Sequence, residues 1–161
     1  MSPNRFLPHV LVLPEDDANR ELVVGFLLDS SLSRGAIDFL EVAGGWIKLL
    51  DRFESYEIAG MRKYQKRFMV LLFDFDNDPN RVDIARKRIP DDLTDRVFVV
   101  GSLSDPESLK RAGLGNFEEI GLALAKDCRE ETDETWSHEL LMHNSTELAR
   151  LRTHVRPILF P

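Results

Sequence analysis

The stretch Phe68-Met69-Val70-Leu71-Leu72-Phe73-Asp74-Phe75-Asp76-Asn77-Asp78-Pro79 decides how this chain is read. Six apolar residues in a row, too few for an ordinary helix, have the pattern of a β-strand buried on both faces. Acidic residues follow at once, and Pro79 suits the first turn of a helix over roughly Asn80 to Arg88. Toward the N-terminus the arrangement repeats. The run Val10-Leu11-Val12-Leu13, in a strand from His9 to Leu13, leads through Pro14 into Glu15-Asp16-Asp17. Asp16 or Asp17 can cap a helix running to about Leu28, with Leu22, Val23, Phe26 and Leu27 on one face. Between the two runs, Ala36 to Val42 reads as a second strand ended by Gly44-Gly45. A helix from about Trp46 to Tyr56 follows, turning Trp46, Ile47, Leu49, Leu50 and Phe53 inward, and Gly60 breaks it. Toward the C-terminus, Val97 to Val100 is a fourth strand closed by Gly101. Ser104 to Arg111 is a short helix with Ser104 or Asp105 as cap. Phe117 to Cys128 and about Glu134 to Arg152 read as two further helices, and Ile158 to Phe160 could add an edge strand.

Strands alternating with helices predict right-handed crossovers and an α/β fold. The sheet is mostly parallel and four-stranded, or five-stranded if Ile158 to Phe160 joins it, with helices on both faces. Short linkers predict one domain over 1–161, with a core at about 9–101 and a helical C-terminal segment at about 104–161. A chain of 161 residues is long enough to bury roughly two-thirds of its unfolded surface. Its 43% hydrophobic and 30% charged residues are those of an ordinary globular protein. Cys128 is the single cysteine, which excludes an intrachain disulfide and a cysteine-based metal cage. No signal-peptide pattern opens the chain, and no apolar run approaches the ~20 residues that span a bilayer. The expectation is therefore a cytoplasmic protein without a membrane partner.

A net charge of −7 argues against indiscriminate binding to nucleic acid, because phosphate contact needs a positive face. Local basic groups remain: Arg62-Lys63-Tyr64-Gln65-Lys66-Arg67, then Arg86-Lys87-Arg88, and more loosely Arg150, Arg152 and Arg156. Each reads first as a solvated helix or loop face.

The two acidic groups carry more information. Carboxylates at the C-terminal ends of parallel strands sit where open α/β sheets bind their ligands. In an extended chain residues two apart point the same way, so Asp74 and Asp76 are expected to project together, with Phe75 turned away. Glu15 meets them if the first and third strands are neighbours. Carboxylates converging on one point repel one another unless a cation lies between them, and an all-oxygen set suits Mg²⁺ or Mn²⁺. The simpler alternative is that Asp16-Asp17 and Asp78-Pro79 do no more than start helices.

Pro14-Glu15-Asp16-Asp17, Gly44-Gly45 after the second strand and Asp74-Phe75-Asp76 after the third resemble the signature of Toprim domains. That catalytic domain is shared by topoisomerases, bacterial primases, OLD-family nucleases and small ribosomal-RNA maturases. The likeness covers roughly residues 9 to 101. It implies a Toprim-like fold, with Glu15 as general acid/base and a metal ligand, and Asp74 and Asp76 holding Mg²⁺. Asp78 extends that ligand set, and Gly44 or Gly45 lets the backbone approach closely. Asp16 stands where many Toprim domains have Gly, and the chain leaves little room for the nucleic-acid-gripping domain that usually accompanies them.

A response-regulator receiver is the nearest rival. Glu15-Asp16 or Asp16-Asp17 followed by Ala-Asn-Arg-Glu-Leu resembles a receiver opening, and Ser102 or Ser104 could be its hydroxyl. A Lys-Pro pair closing a fifth strand is missing. A haloacid-dehalogenase-type phosphatase also uses Asp-x-Asp, but early in the chain and followed by Gly-Thr. His138 and His143 are five residues apart, about 140° around a helix, so they do not form the zinc pair of a metalloprotease. Gly113, Gly115 and Gly121 do not follow a strand as a dinucleotide loop requires. Asn144-Ser145-Thr146 has the glycosylation pattern without a secretion signal to give it meaning. Trp46 and Trp136 are expected in the core.

The reading that follows is a Mg²⁺-dependent phosphoryl-transfer enzyme, a nuclease acting on DNA or RNA. Glu15 moves the proton, Asp74, Asp76 and Asp78 position the metal, and Arg62, Lys63, Lys66, Arg67 and Arg81 contact phosphate. Asp76→Asn is expected to abolish activity with little effect on folding. The alternative is a non-catalytic Toprim-like or receiver-like module that works through a protein partner.

Overall fold

A computed structural model describes residues 2–161. Its sheet has four strands, all parallel, in the order β2-β1-β3-β4. They are β1 (His9–Pro14), β2 (Ile37–Phe39), β3 (Arg67–Leu72) and β4 (Val97–Val100). The helices are α1 (Asp17–Phe26), α2 (Trp46–Arg52), α3 (Ile58–Lys63), α4 (Pro79–Lys87), α5 (Pro106–Arg111), α6 (Phe117–Glu130), α7 (Ser145–His154) and α8 (Arg156–Leu159). The α/β class and the parallel sheet thus stand as read from the sequence.

β1 and β3 pair along their full six residues, from His9 beside Arg67 to Pro14 beside Leu72. Their alternating side chains feed two cores. One face carries Leu11, Leu13, Met69, Leu71 and Val99 against Leu49, Leu50, Phe53, Met61 and Ala85. The opposite face carries Val10, Val12 and Phe98 against Val23, Ala125, Val155, Leu159 and Phe160. Burial on both sides is why these strands read as continuous apolar runs and not as alternating ones.

Four expectations are corrected. The second strand is three residues long, not seven, although Leu40 and Ala43 still donate backbone N–H bonds to Val12 O and Pro14 O as the chain runs on. Gly60 does not break a helix: it lies inside α3, which continues from α2 through a π-helical turn, Phe53–Glu57. Its missing side chain serves packing, since a Cβ there would come within 2.8 Å of Arg67 Nη1. The segment expected as a helix from Glu134 is turns up to Leu141, and α7 begins only at Ser145. The buried Asp127 carboxylate explains this. It accepts from the backbone N–H groups of Glu134, Thr135 and Trp136 and from the Thr132 hydroxyl, bonds that hold the chain in a loop. Finally, Ile158 to Phe160 is no strand. Ile158 and Leu159 belong to α8, and Leu159 and Phe160 are buried in the second core, so the C-terminal helices close one face of the sheet.

α1 and α6 cross with unusually close backbones. A Cβ on Gly121 would lie 2.0 Å from Leu22 O, and one on Gly25 would lie 2.2 Å from Glu118 O. Only glycine permits that approach at either position. Among the described residues no helix is long and apolar enough to cross a membrane.

Candidate functional site

The sheet order creates the site. From β1 the chain goes first to β2 on one side and then to β3 on the other, so the crossovers leave in opposite directions between β1 and β3. The C-terminal end of that gap is the topological switch point where doubly wound sheets bind ligands. Glu15 leaves β1 there and Asp74 follows β3.

Glu15, Asp16 and Asp74 each offer a carboxylate oxygen within 4.8 Å of the others, and all three side chains are part-buried. Glu15 Oε2 accepts the Asp74 backbone N–H at 2.8 Å, clamping the two strand ends together. Asp16 is the N-cap of α1, its Oδ1 accepting the Asn19 N–H at 3.0 Å. The Asn19 side chain, fully buried, donates from Nδ2 to Asp16 Oδ1 at 2.9 Å and to Asp74 Oδ1 at 3.0 Å. The opposite amide orientation would set its oxygen against two carboxylates, so the donor side is fixed by charge.

Electrostatics follow from this crowding. Burial pushes the Asp74 carboxyl up to about 7, the Asn19 bond opposes it, and the Glu15 and Asp16 charges add to it. Burial likewise raises Glu15, against the lowering effect of the Asp74 N–H. Oxygen ligands on one Mg²⁺ stand about 3–4 Å apart, so three oxygens already within 4.8 Å of one another need only small rotations to share an ion. The donor chemistry and the raised carboxyls both fit a hard divalent cation.

The other expected site residues fall differently. Asp76 is outside the cluster. Its side chain is 72% exposed and pairs with Arg81 at 3.3 Å. The reason is local: alternation ends at Asp74. Phe75, Asp76 and Asn77 donate backbone N–H bonds to Ser102 O, Ser104 O and Leu103 O, and Asp76 and Asn77 adopt left-handed conformations, with φ of 50° and 53°. Asp78 caps α4 by accepting the Asn80 N–H, at 3.0 Å. Gly44 does reach the site: at φ +90° it donates its N–H to Glu15 O at 2.8 Å, and Gly45 caps α2.

Arg81 also reaches it, donating to Asp74 O at 2.9 Å while its guanidinium lies 4.7 Å from the Trp46 ring centre. Arg62, Lys63, Lys66 and Arg67 do not. They precede or begin β3, so the full six-residue strand, roughly 20 Å, separates them from Asp74. Arg62 is engaged with Asp92 at 3.0 Å, and Arg67 is buried, donating Nε–H to His9 Nε2 at 3.0 Å. His138 and His143 are apart from the carboxylates. His138 Nδ1 accepts the Leu140 N–H, and His143 Nε2 lies 2.8 Å from Gly101 O.

Two members of the site were not singled out from the sequence. Asp16 was read as a cap, which it is, and as half of a receiver-like acidic pair, while Asn19 stood only within the receiver-like run Ala-Asn-Arg-Glu-Leu and was given no role of its own. The available signal was the Asp16-x-x-Asn19 spacing, an N-cap with its third helical residue, which turns both side chains toward the strand ends.

The fold and site together define a parallel α/β protein with an acidic centre at its switch point. Comparison with protein-family models, curated proteins and solved structures found no match.

Proposed function

We propose that the protein is a Mg²⁺-dependent phosphoryl-transfer enzyme of Toprim type that cleaves nucleic-acid phosphodiesters. The observation that carries this reading is the convergence of Glu15, Asp16 and Asp74 at the switch point. In this reading Glu15, Asp74 and Asp16 hold the metal, which when bound supplies charge stabilisation for a phosphate in transit. Glu15, whose carboxyl is raised by burial, is the group placed to exchange a proton with the substrate or an attacking water. Arg81, held against Trp46 at the rim, offers a guanidinium to a phosphate oxygen. Asp76 sits beside it and orients it. A protein partner would supply further grip on a long substrate.

A second reading has a specific observation in its favour. The group that converges is an acidic pair after β1 with one Asp after β3, the receiver arrangement, and the strand order is that of the first four strands of the flavodoxin-like sheet. Ser102, just past β4, is buried with its hydroxyl unpaired. This reading makes the protein a phospho-acceptor signalling module.

Thermal unfolding with increasing Mg²⁺ or Mn²⁺ tests the metal, because a ligand of the native state raises its apparent stability. A rise of several degrees in the wild type, absent from Asp74→Asn, is expected. Single- and double-stranded DNA and RNA substrates then distinguish the readings. Metal-dependent cleavage abolished by Glu15→Gln supports the enzyme, whereas acetyl-phosphate labelling of Asp74 without cleavage supports the receiver. No metal response at millimolar concentrations would sink both.

A further inference from the structure

The sheet face beneath α1, α6 and α7 carries an apolar pocket, partly open at its rim, that the carboxylate site does not use. Its volume is about 120 Å³, and Val70, Leu72 and Val100 form its floor while Leu124, Cys128 and Leu148 wall it. These side chains offer water almost no hydrogen-bonding partner. The free Cys128 thiol does not change that, because burial pushes its pKa up to about 11 and keeps it neutral.

The strand beneath reports the same gap. β3 is an interior strand, yet its two faces are covered unequally. Met69, Leu71 and Phe73 on one face are fully buried, while Phe68, Val70 and Leu72 on the other are only partly so. Their neighbours on that same face, Val10, Val12, Phe98 and Val100, are buried. The helices therefore cover β1 and β4 and part above β3.

The walls are also fastened where they stand. α1 and α6 meet at backbone contact through Gly25 and Gly121, so neither can slide toward β3 without carrying the other. On the far side, Arg156 donates to Cys128 O at 3.0 Å and to Arg129 O at 2.6 Å, and Arg150 and Arg152 donate to Thr94 O and Thr132 O. A cavity persists where its surroundings cannot relax into it.

We propose that this cavity is a binding site for a neutral apolar molecule of about the bulk of benzene, a hydrocarbon ring or a short alkyl group. A closed apolar cavity of roughly 150 Å³ takes up benzene; this pocket is only slightly smaller and as apolar, and its partly open rim gives such a molecule a way in. A polar ligand would lose its hydrogen bonds to water on entry without replacement. The site is independent of any divalent cation, so its test and the metal test succeed or fail separately.

Benzene, toluene and phenol are the probes, added to the full chain in metal-free buffer. Two-dimensional NMR of the methyl groups follows Val70, Leu72, Val100 and Leu124. Saturable shifts confined to these methyls with benzene and toluene, with at least tenfold weaker binding of phenol, are expected, together with a rise in Tm. Val70→Phe fills the space and should lose the benzene response while unfolding no earlier than the wild type. Leu124→Ala enlarges the space and should admit naphthalene, which the wild type excludes. No methyl shifts near benzene saturation in the wild type would overturn the proposal, whether or not either variant folds. So would phenol binding as tightly as toluene, or an undiminished benzene response in folded Val70→Phe.

Discussion

Asp74 is a carboxyl group whose surroundings oppose its charge, and that opposition is measurable. Its pKa stands at about 7 in the folded chain against an ordinary 3.8. Between those values the folded state keeps a proton that the unfolded state has released. Stability therefore falls as pH rises from about 4 to about 7, and the whole contribution is lost above that. Asp74→Asn removes this dependence. Urea midpoints of wild type and variant should diverge as pH rises, with the variant the more stable at pH 8 in metal-free buffer. A difference that stays constant from pH 4 to 8 would contradict the raised carboxyl. Asp76 predicts the opposite behaviour. Its side of the ion pair with Arg81 is exposed, and a pair so open to water contributes about 0–1 kcal/mol. Asp76→Asn should thus leave both the stability and the Mg²⁺-induced shift in Tm nearly unchanged. Loss of the metal shift in that variant would show that the loop after Asp74 brings Asp76 inward when the ion binds. The expected pairing of Asp74 with Asp76 failed because period-two alternation holds only for extended backbone, and three bonds to the Ser102–Ser104 segment bend the chain directly after Asp74.

Among the elements, α1 and α6 show how a tertiary contact reverses a local preference. In an isolated helix Gly→Ala gains about 1 kcal/mol. At Gly121 the new methyl would stand 2.0 Å from Leu22 O, and relieving such a clash forces the backbones apart at a cost of about 1–3 kcal/mol. Gly121→Ala should therefore destabilise, by a net of up to ~2 kcal/mol in chemical denaturation. A variant more stable than the wild type would show that the helices separate freely. The helix expected from Glu134 failed for a related reason. Its composition is compatible with helix, but the Asp127 carboxylate offers four bonds to residues 132–136 that a continuous helix would forgo. Nothing in a local window announces that partner. Gly60 is a third case: read as a breaker, it sits inside α3 because the space its side chain would fill belongs to Arg67.

Taken across the fold, parallel topology sorts the charged residues by edge. Whatever follows β1 and β3 gathers at one edge of the sheet, and whatever precedes β3 lies at the other. Glu15, Asp74 and Arg81 belong to the first edge, while Lys63 and Lys66 belong to the second. If phosphodiester cleavage occurs at the carboxylates, Lys63→Ala with Lys66→Ala should leave kcat within about twofold. Arg81→Ala should lower it at least tenfold, which corresponds to about 1.4 kcal/mol of transition-state stabilisation. Steady-state cleavage of a short oligonucleotide checks both. Equal losses in the two variants would indicate a substrate spanning the sheet edge to edge.

The α/β class, the parallel sheet and the acidic strand ends were legible in the chain, because each is written in neighbouring residues. Strands buried on both faces must be apolar without interruption, and the chain must turn with polar residues where such a strand stops. Glu15 and Asp74 could be placed at the ends of their strands from those runs, while the pairing of β1 with β3 that brings them together is a property of the assembled sheet. What local residues do not carry is which side chains meet across long separations. Asn19 bridges Asp16 to Asp74 across 55 residues, Asp76 is drawn away by a segment beyond β4, and Arg67 is sealed beneath His9. Those outcomes depend on packing and on the hydrogen bonds of distant backbone, which exist only once the sheet and its helices have come together.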